Sequence, residues 1–241
     1  MNIDITDSLA EFDEWNYVKE KMKNKCCAIF DLDGTLVDTA DDLGLATDYV
    51  LREYGIEPKW TKQDYRAFVG NGAKKLLDRA FEHKLSENEL DKALELFKEK
   101  YNVILLDHAH LYNGVISSLD ELKKQGIKLA VVTNKPHQSA VKMVETLFGR
   151  DYFDVIIGAT EDTPKKPDPY AANLALEKLG CAPENSIFFG DSDIDIYTAK
   201  NAGMDGVGCS WGFRSFECLY LACPLVIIDR AEDIAKLFKK V

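Results

Sequence analysis

From Cys26 to the C-terminus, short apolar runs of strand length alternate with amphipathic stretches of helical period. Cys26–Phe30, Ile127–Val132, Val155–Ile157, Ser186–Phe189, Gly206–Cys209 and Leu225–Ile228 read as strands. Between them, Val115, Leu119 and Leu122 share one helical face before Gly126. Leu174, Ala175 and Leu179 do the same before Gly180, and Ile194, Thr198 and Ala202 before Gly203. A glycine at each stop suits a left-handed C-cap. Strands alternating with helices predict an α/β fold whose parallel sheet is covered on both faces.

The first two strands are far apart in sequence, and the intervening residues read as helix throughout. Leu43, Ala46, Val50 and Tyr54 keep a helical period that stops at Gly55. Ser86 to Glu89 matches a capping box, and Leu90, Ala93, Leu94, Phe97 and Tyr101 continue the apolar face. An all-helical insert over residues 39–112 is therefore expected to interrupt a core formed by residues 25–38 and 113–241. Residues 1–24 read as a helical appendage around Phe12, Trp15 and Val18.

The 241 residues, 46% of them apolar, suit a core of this size with one insert. A net charge of −11 disfavours nucleic-acid backbones and anionic lipid, although a local site can still attract a small anion. The first 25 residues lack the basic start and apolar centre of a secretion signal. No apolar run approaches the ~20 residues of a membrane span. The expectation is a cytoplasmic protein, monomer or homodimer, with neither nucleic acid nor membrane as partner. None of the six cysteines forms a C-x-x-C pair, so reduced thiols are expected rather than zinc ligands.

The chemistry concentrates at the ends of the expected strands. Asp31-Leu32-Asp33-Gly34-Thr35 follows the first strand. In an open parallel sheet, ligands sit beyond the carboxyl ends of the strands. A carboxylate there can attack phosphorus, and a second can give and take the proton. Thr133 and Asn134 end the next strand, and Lys166 lies in a proline-rich loop after another. Asp191, Asp193 and Asp195 cluster after a fourth, where carboxylate oxygens suit magnesium. Each group has an ordinary structural explanation: a turn at Asp33-Gly34, a strand residue at Thr133, a surface charge at Lys166, a helix N-cap at Asp191 or Asp193. Four such groups at four strand ends, however, should meet in one crevice.

These four segments, in this order, resemble the signature motifs of haloacid dehalogenase superfamily hydrolases, from about Cys26 to the C-terminus. Phe30 to Asp38, Val69 to Ala73, Val132 to Pro136 and Trp211 to Phe213 are most similar to the phosphoglycolate phosphatase-like branch. The resemblance implies a Rossmann-like core with an inserted helical cap. It implies that Asp31 is the nucleophile and Asp33 the general acid/base. Magnesium would be held by Asp31, Asp191 and the backbone carbonyl of Asp33. Thr133 and Asn134 would orient the phosphoryl group, Lys166 would neutralise it, and Asp195 would support the lysine or the metal. Dehalogenases and phosphonatases of the superfamily lack a carboxylate at the Asp33 position, so its presence favours phosphate esters.

In the family, a cap loop such as Gly70-Asn71-Gly72 faces the active site and helps choose the substrate. Lys74, Lys75 and Arg79 follow it here and can meet an anionic tail, or can simply be solvated. His108 and His110 have no further ligand cluster nearby in sequence and read as loop histidines. Asn113 stands where the branch often has proline, and the N-terminal appendage is longer than the family needs. The expected function is magnesium-dependent hydrolysis of a small phosphomonoester through an aspartyl-phosphate, with phosphoglycolate leading. A phosphosugar mutase, a pyrophosphatase or a non-catalytic phospho-ligand binder would use the same core.

Overall fold

A computed structural model describes residues 15–69 and 72–239. Residues 15–22 are helical (α1), with Val18 and Met22 buried against the core and Trp15 exposed; Phe12 lies outside the described residues. The order that follows is β1 Cys27–Phe30, β2 Val37–Asp38, α2 Ala40–Glu53, α3 Lys62–Phe68, α4 Ala73–Ala80, α5 Glu87–Ile104, β3 His110–Leu111 and α6 Val115–Lys124. It continues through β4 Lys128–Pro136, α7 His137–Leu147, β5 Val155–Ala159, α8 Tyr170–Leu179, β6 Ser186–Gly190, α9 Asp193–Asn201, β7 Asp205–Cys209, α10 Phe216–Leu221, β8 Val226–Ile228 and α11 Glu232–Leu237.

Six strands form one parallel sheet in the order β5-β4-β1-β6-β7-β8. The chain thus starts in the middle, builds outward to β5, then returns to the other side of β1 for β6. This reversal places a crevice beyond the end of β1. All four residues of β1 are fully buried, as a central parallel strand requires. Phe30 stacks on Phe189 of β6 with ring centroids 4.9 Å apart. Truncating such a ring to alanine costs about 3–5 kcal/mol.

Every expected strand is present, but β4 runs on through Thr133 and Asn134 to Pro136, with a register irregularity against β5 after Val132. The helices before Gly126 and Gly180 end as anticipated, both glycines adopting positive φ (76° and 63°).

Helices α2 to α5 lie between β2 and β3, two-residue strands that pair antiparallel and bring the entry and exit of the insert together. The capping box forms at the start of α5: Ser86 N donates to Glu89 Oε2 at 2.9 Å while Glu89 N donates to Ser86 Oγ at 3.4 Å. Asp42, fully buried on α2, accepts from the backbone N–H groups of His108 (2.9 Å) and Ala109 (3.0 Å) on the returning chain. Among the described residues, no helix is long and apolar enough to cross a membrane.

Candidate active site

The central strand delivers Asp31 to the crevice. Asp31 N still donates to Phe189 O at 2.9 Å, so the carboxylate springs from the last rung of the β1–β6 ladder. The chain then turns. Gly34 takes φ +87°, and its N–H donates to Val37 O at 2.8 Å. A β-carbon on Gly34 would fall 2.4 Å from Asp191 Oδ2, so only glycine lets the turn pass the carboxylate.

Asp191 sits just beyond β6. Thr35 Oγ1 donates to its Oδ1 at 3.0 Å and Phe213 N to its Oδ2 at 2.8 Å. Asp195, on the first turn of α9, accepts from Ser192 N (3.0 Å) and Ser192 Oγ (2.6 Å) at one oxygen and from Lys166 Nζ (2.6 Å) at the other. Lys166 Nζ also lies 2.9 Å from Asp31 Oδ1. Lys166, Asp191 and Asp195 are all buried.

Asp31, Asp191 and Asp195 each offer a carboxylate oxygen, and these atoms lie within 4.8 Å of one another. Burial, then the charges of Asp195 and Asp31, push Asp191 well above the carboxylate range. Burial also raises Asp31; Lys166 opposes the rise, and Asp195 and Asp33 add to it. Burial alone would lower Lys166, but Asp195 and Asp31 reverse this and keep it charged. Three carboxylates, those of Asp191 and Asp195 buried and that of Asp31 partly so, facing a single lysine leave excess negative charge. A hard divalent cation with oxygen preference fits this donor set.

Asn134 uses its side chain on the lysine loop: Lys166 N donates to Asn134 Oδ1 (2.8 Å), and Asn134 Nδ2 donates to Lys166 O (3.2 Å). It therefore clamps the peptide that carries Lys166. Thr133, 4% exposed, accepts from Lys135 N at 3.2 Å.

A model of the family described as haloacid dehalogenase-like hydrolase matches residues 28–209. The chain belongs to the haloacid dehalogenase-like hydrolases. It is 35% identical over 213 residues to phosphoglycolate phosphatase 1 of Pseudomonas aeruginosa, covering 86% of this chain and 77% of that one. It is 38% identical over 226 residues to a phosphoglycolate phosphatase of Vibrio cholerae, covering 91% and 98%. Among solved structures, a haloacid dehalogenase-like hydrolase of Streptococcus pneumoniae superposes with a TM-score of 0.80 at 27% identity, covering 90% and 99%.

In this hydrolase the insert's basic residues divide. Lys74 Nζ is bound by Glu87 (2.6 Å) and Asp91 (2.5 Å) on α5, and Lys75 pairs with Asp78 at 3.5 Å on the surface. Arg79 donates to Phe68 O at 2.6 Å, while Arg214 of the core donates to the neighbouring Ala67 O at 2.6 Å. Gly70 and Asn71 lie outside the described residues. Gly72 caps α4, and a β-carbon there would lie 3.7 Å from Lys165 Nζ, beside the catalytic lysine candidate. His108 and His110 join no metal-ligating group among the described residues.

Two site residues, Lys135 and Tyr101, are not among those expected from the sequence. Asp33 is paired with Lys135, whose Nζ lies 2.9 Å from Oδ1 and 3.2 Å from Oδ2. Lys135 also reaches Tyr101 of α5. In the sequence Lys135 is only one residue of the family-like run Val132 to Pro136; the continuation of β4, which turns residues 133 and 135 to the same side, gives it Asp33 as partner.

Proposed function

We propose that this hydrolase is a magnesium-dependent phosphatase for a small phosphomonoester, with 2-phosphoglycolate its leading substrate. The observation that carries the reading is the ion pair of Asp31 with buried Lys166, set beside Asp191 at the end of the central strand. The names of the similar Pseudomonas and Vibrio proteins support the choice of substrate.

The carboxylates of Asp31 and Asp191 and the backbone carbonyl of Asp33 would hold magnesium, which neutralises phosphoryl charge when bound. Lys166 binds a phosphoryl oxygen and reduces the repulsion between that anion and the attacking carboxylate. Asp31 attacks phosphorus in line, and the P–O bond to the leaving alcohol breaks. Asp33 gives its proton to the departing oxygen. It then takes a proton from the water that cleaves the aspartyl-phosphate, restoring both carboxyls. Thr133 accepts from Lys135 N and can still donate its hydroxyl proton to the phosphoryl group. Asp195 and Asn134 fix Lys166 from its head and its backbone. The helices of residues 39–112 act as a cap whose approach expels water, with the loop at 70–72 reading the rest of the substrate.

The test is phosphate release by the purified protein with magnesium across phosphoglycolate, sugar phosphates and pyrophosphate. A preference for phosphoglycolate is expected. Isomerised sugar phosphate without free phosphate would make the protein a mutase instead.

A further inference from the structure

Two buried lysines divide the two aspartates of the first motif between them. Lys166 takes Asp31, and Lys135 takes both oxygens of Asp33, its side chain only 1% exposed. The third contact of the Lys135 ammonium is Tyr101 Oη at 2.6 Å, with the tyrosine ring centroid 4.7 Å from Nζ. An ammonium has three protons, and these acceptors use them all. Tyr101 comes from α5 of the insert and is itself buried. The next residue, Asn102, meets Ser139 of α7 at 3.3 Å, so two adjacent residues of α5 hold the end of β4 and the first turn of α7.

Asp33 hangs on a single methylene beside a second anion. With no cation of its own, its carboxylate turns away from Asp31 towards solvent or competes for Lys166. We propose that Lys135 is a positioning residue for Asp33 and that Tyr101 ties it to the inserted helices, so that the placement of α5 sets where the Asp33 carboxylate points. The inference rests on the phosphatase reading above, in which Asp33 protonates the leaving oxygen. Proton transfer demands hydrogen-bond placement, so a displaced Asp33 fails first on substrates whose leaving group needs the proton.

The experiment compares kcat/KM for 2-phosphoglycolate, which expels a poor alkoxide, and for p-nitrophenyl phosphate, which expels a phenolate stable without protonation. This ratio covers steps only up to departure of the leaving group, so slow breakdown of the aspartyl-phosphate does not enter it. Lys135→Met should lose about 100-fold on phosphoglycolate but only about 3-fold on the aryl ester, because general acid catalysis matters to the first alone. Tyr101→Phe, which keeps the ring and the packing, should show the same asymmetry at roughly 10-fold. If Lys135→Met fails to fold by circular dichroism, Tyr101→Phe carries the test alone. Equal losses on both esters, or none, overturn the inference while leaving the phosphatase intact. A wild-type protein that hydrolyses neither ester, nor any of the sugar phosphates or pyrophosphate, overturns the phosphatase reading itself.

Discussion

Lys166 lies closer to Asp195 than to Asp31, 2.6 Å against 2.9 Å, with Asp195 fully buried. Asp195 is thus the standing partner of the lysine, which leaves Lys166 able to exchange Asp31 for a phosphoryl oxygen. The same carboxylate closes the capping box of α9 through Ser192. Asp195→Ala should therefore take from a buried cation the nearer of its two carboxylates and from a helix its cap. A loss of about 2–4 kcal/mol in urea denaturation is expected. A loss within the range of a surface substitution would show that the pair contributes little.

The Asp191 carboxylate is hemmed in by backbone. A β-carbon on Gly212 would lie 2.2 Å from Asp191 Cβ and 2.5 Å from Gly34 O. Gly212→Ala should push Asp191 out of place and weaken magnesium binding by about 10- to 100-fold, as loss of support around metal ligands does. Isothermal titration with magnesium measures it; unchanged affinity would separate Asp191 from the metal.

Much of this was legible in the sequence, for a physical reason. A parallel sheet aligns the carboxyl ends of its strands, so polar residues there had to converge, and Asp31, Lys166, Asp191 and Asp195, from beyond β1, β5 and β6, do meet. What the sequence does not show depends on partners distant along the chain. Asp33 and Lys135 are 102 residues apart, and Lys135 and Tyr101 are 34 apart on different elements. Nothing local distinguishes such a lysine from a solvated one. The strands β2 and β3 are two residues long, too short for any periodicity. The side chain of Asn134 turned to the backbone of Lys166, a choice set by loop geometry.

Chelation has a predictable pH signature. Asp31 and Asp191 are both raised by burial and by neighbouring acids. The folded state then keeps protons that the unfolded chain releases near pH ~4. Their contribution to stability is complete below that value and is lost as pH rises through the raised folded values. With chelator present, the midpoint of thermal unfolding should fall from mildly acidic to neutral pH. Saturating magnesium should reduce the fall, because it binds only the folded site. The same slope with and without magnesium would contradict this.

Asp42 joins the first helix of the insert to the returning chain at His108 and Ala109. Asp42→Ala leaves two amides without their acceptor in a buried setting, which should cost about 2–4 kcal/mol. Asp42→Asn keeps one acceptor oxygen and should cost less. Equal stability of the two variants in urea would place the effect elsewhere.

The central claim is that Asp31 performs the chemistry. Phosphate release from 2-phosphoglycolate with magnesium, measured for wild type and for Asp31→Asn with folding checked by circular dichroism, tests it most directly. The amide keeps the shape but cannot attack phosphorus, so the variant should fall to background while wild type turns over. A folded Asp31→Asn protein that releases phosphate near the wild-type rate would contradict the account.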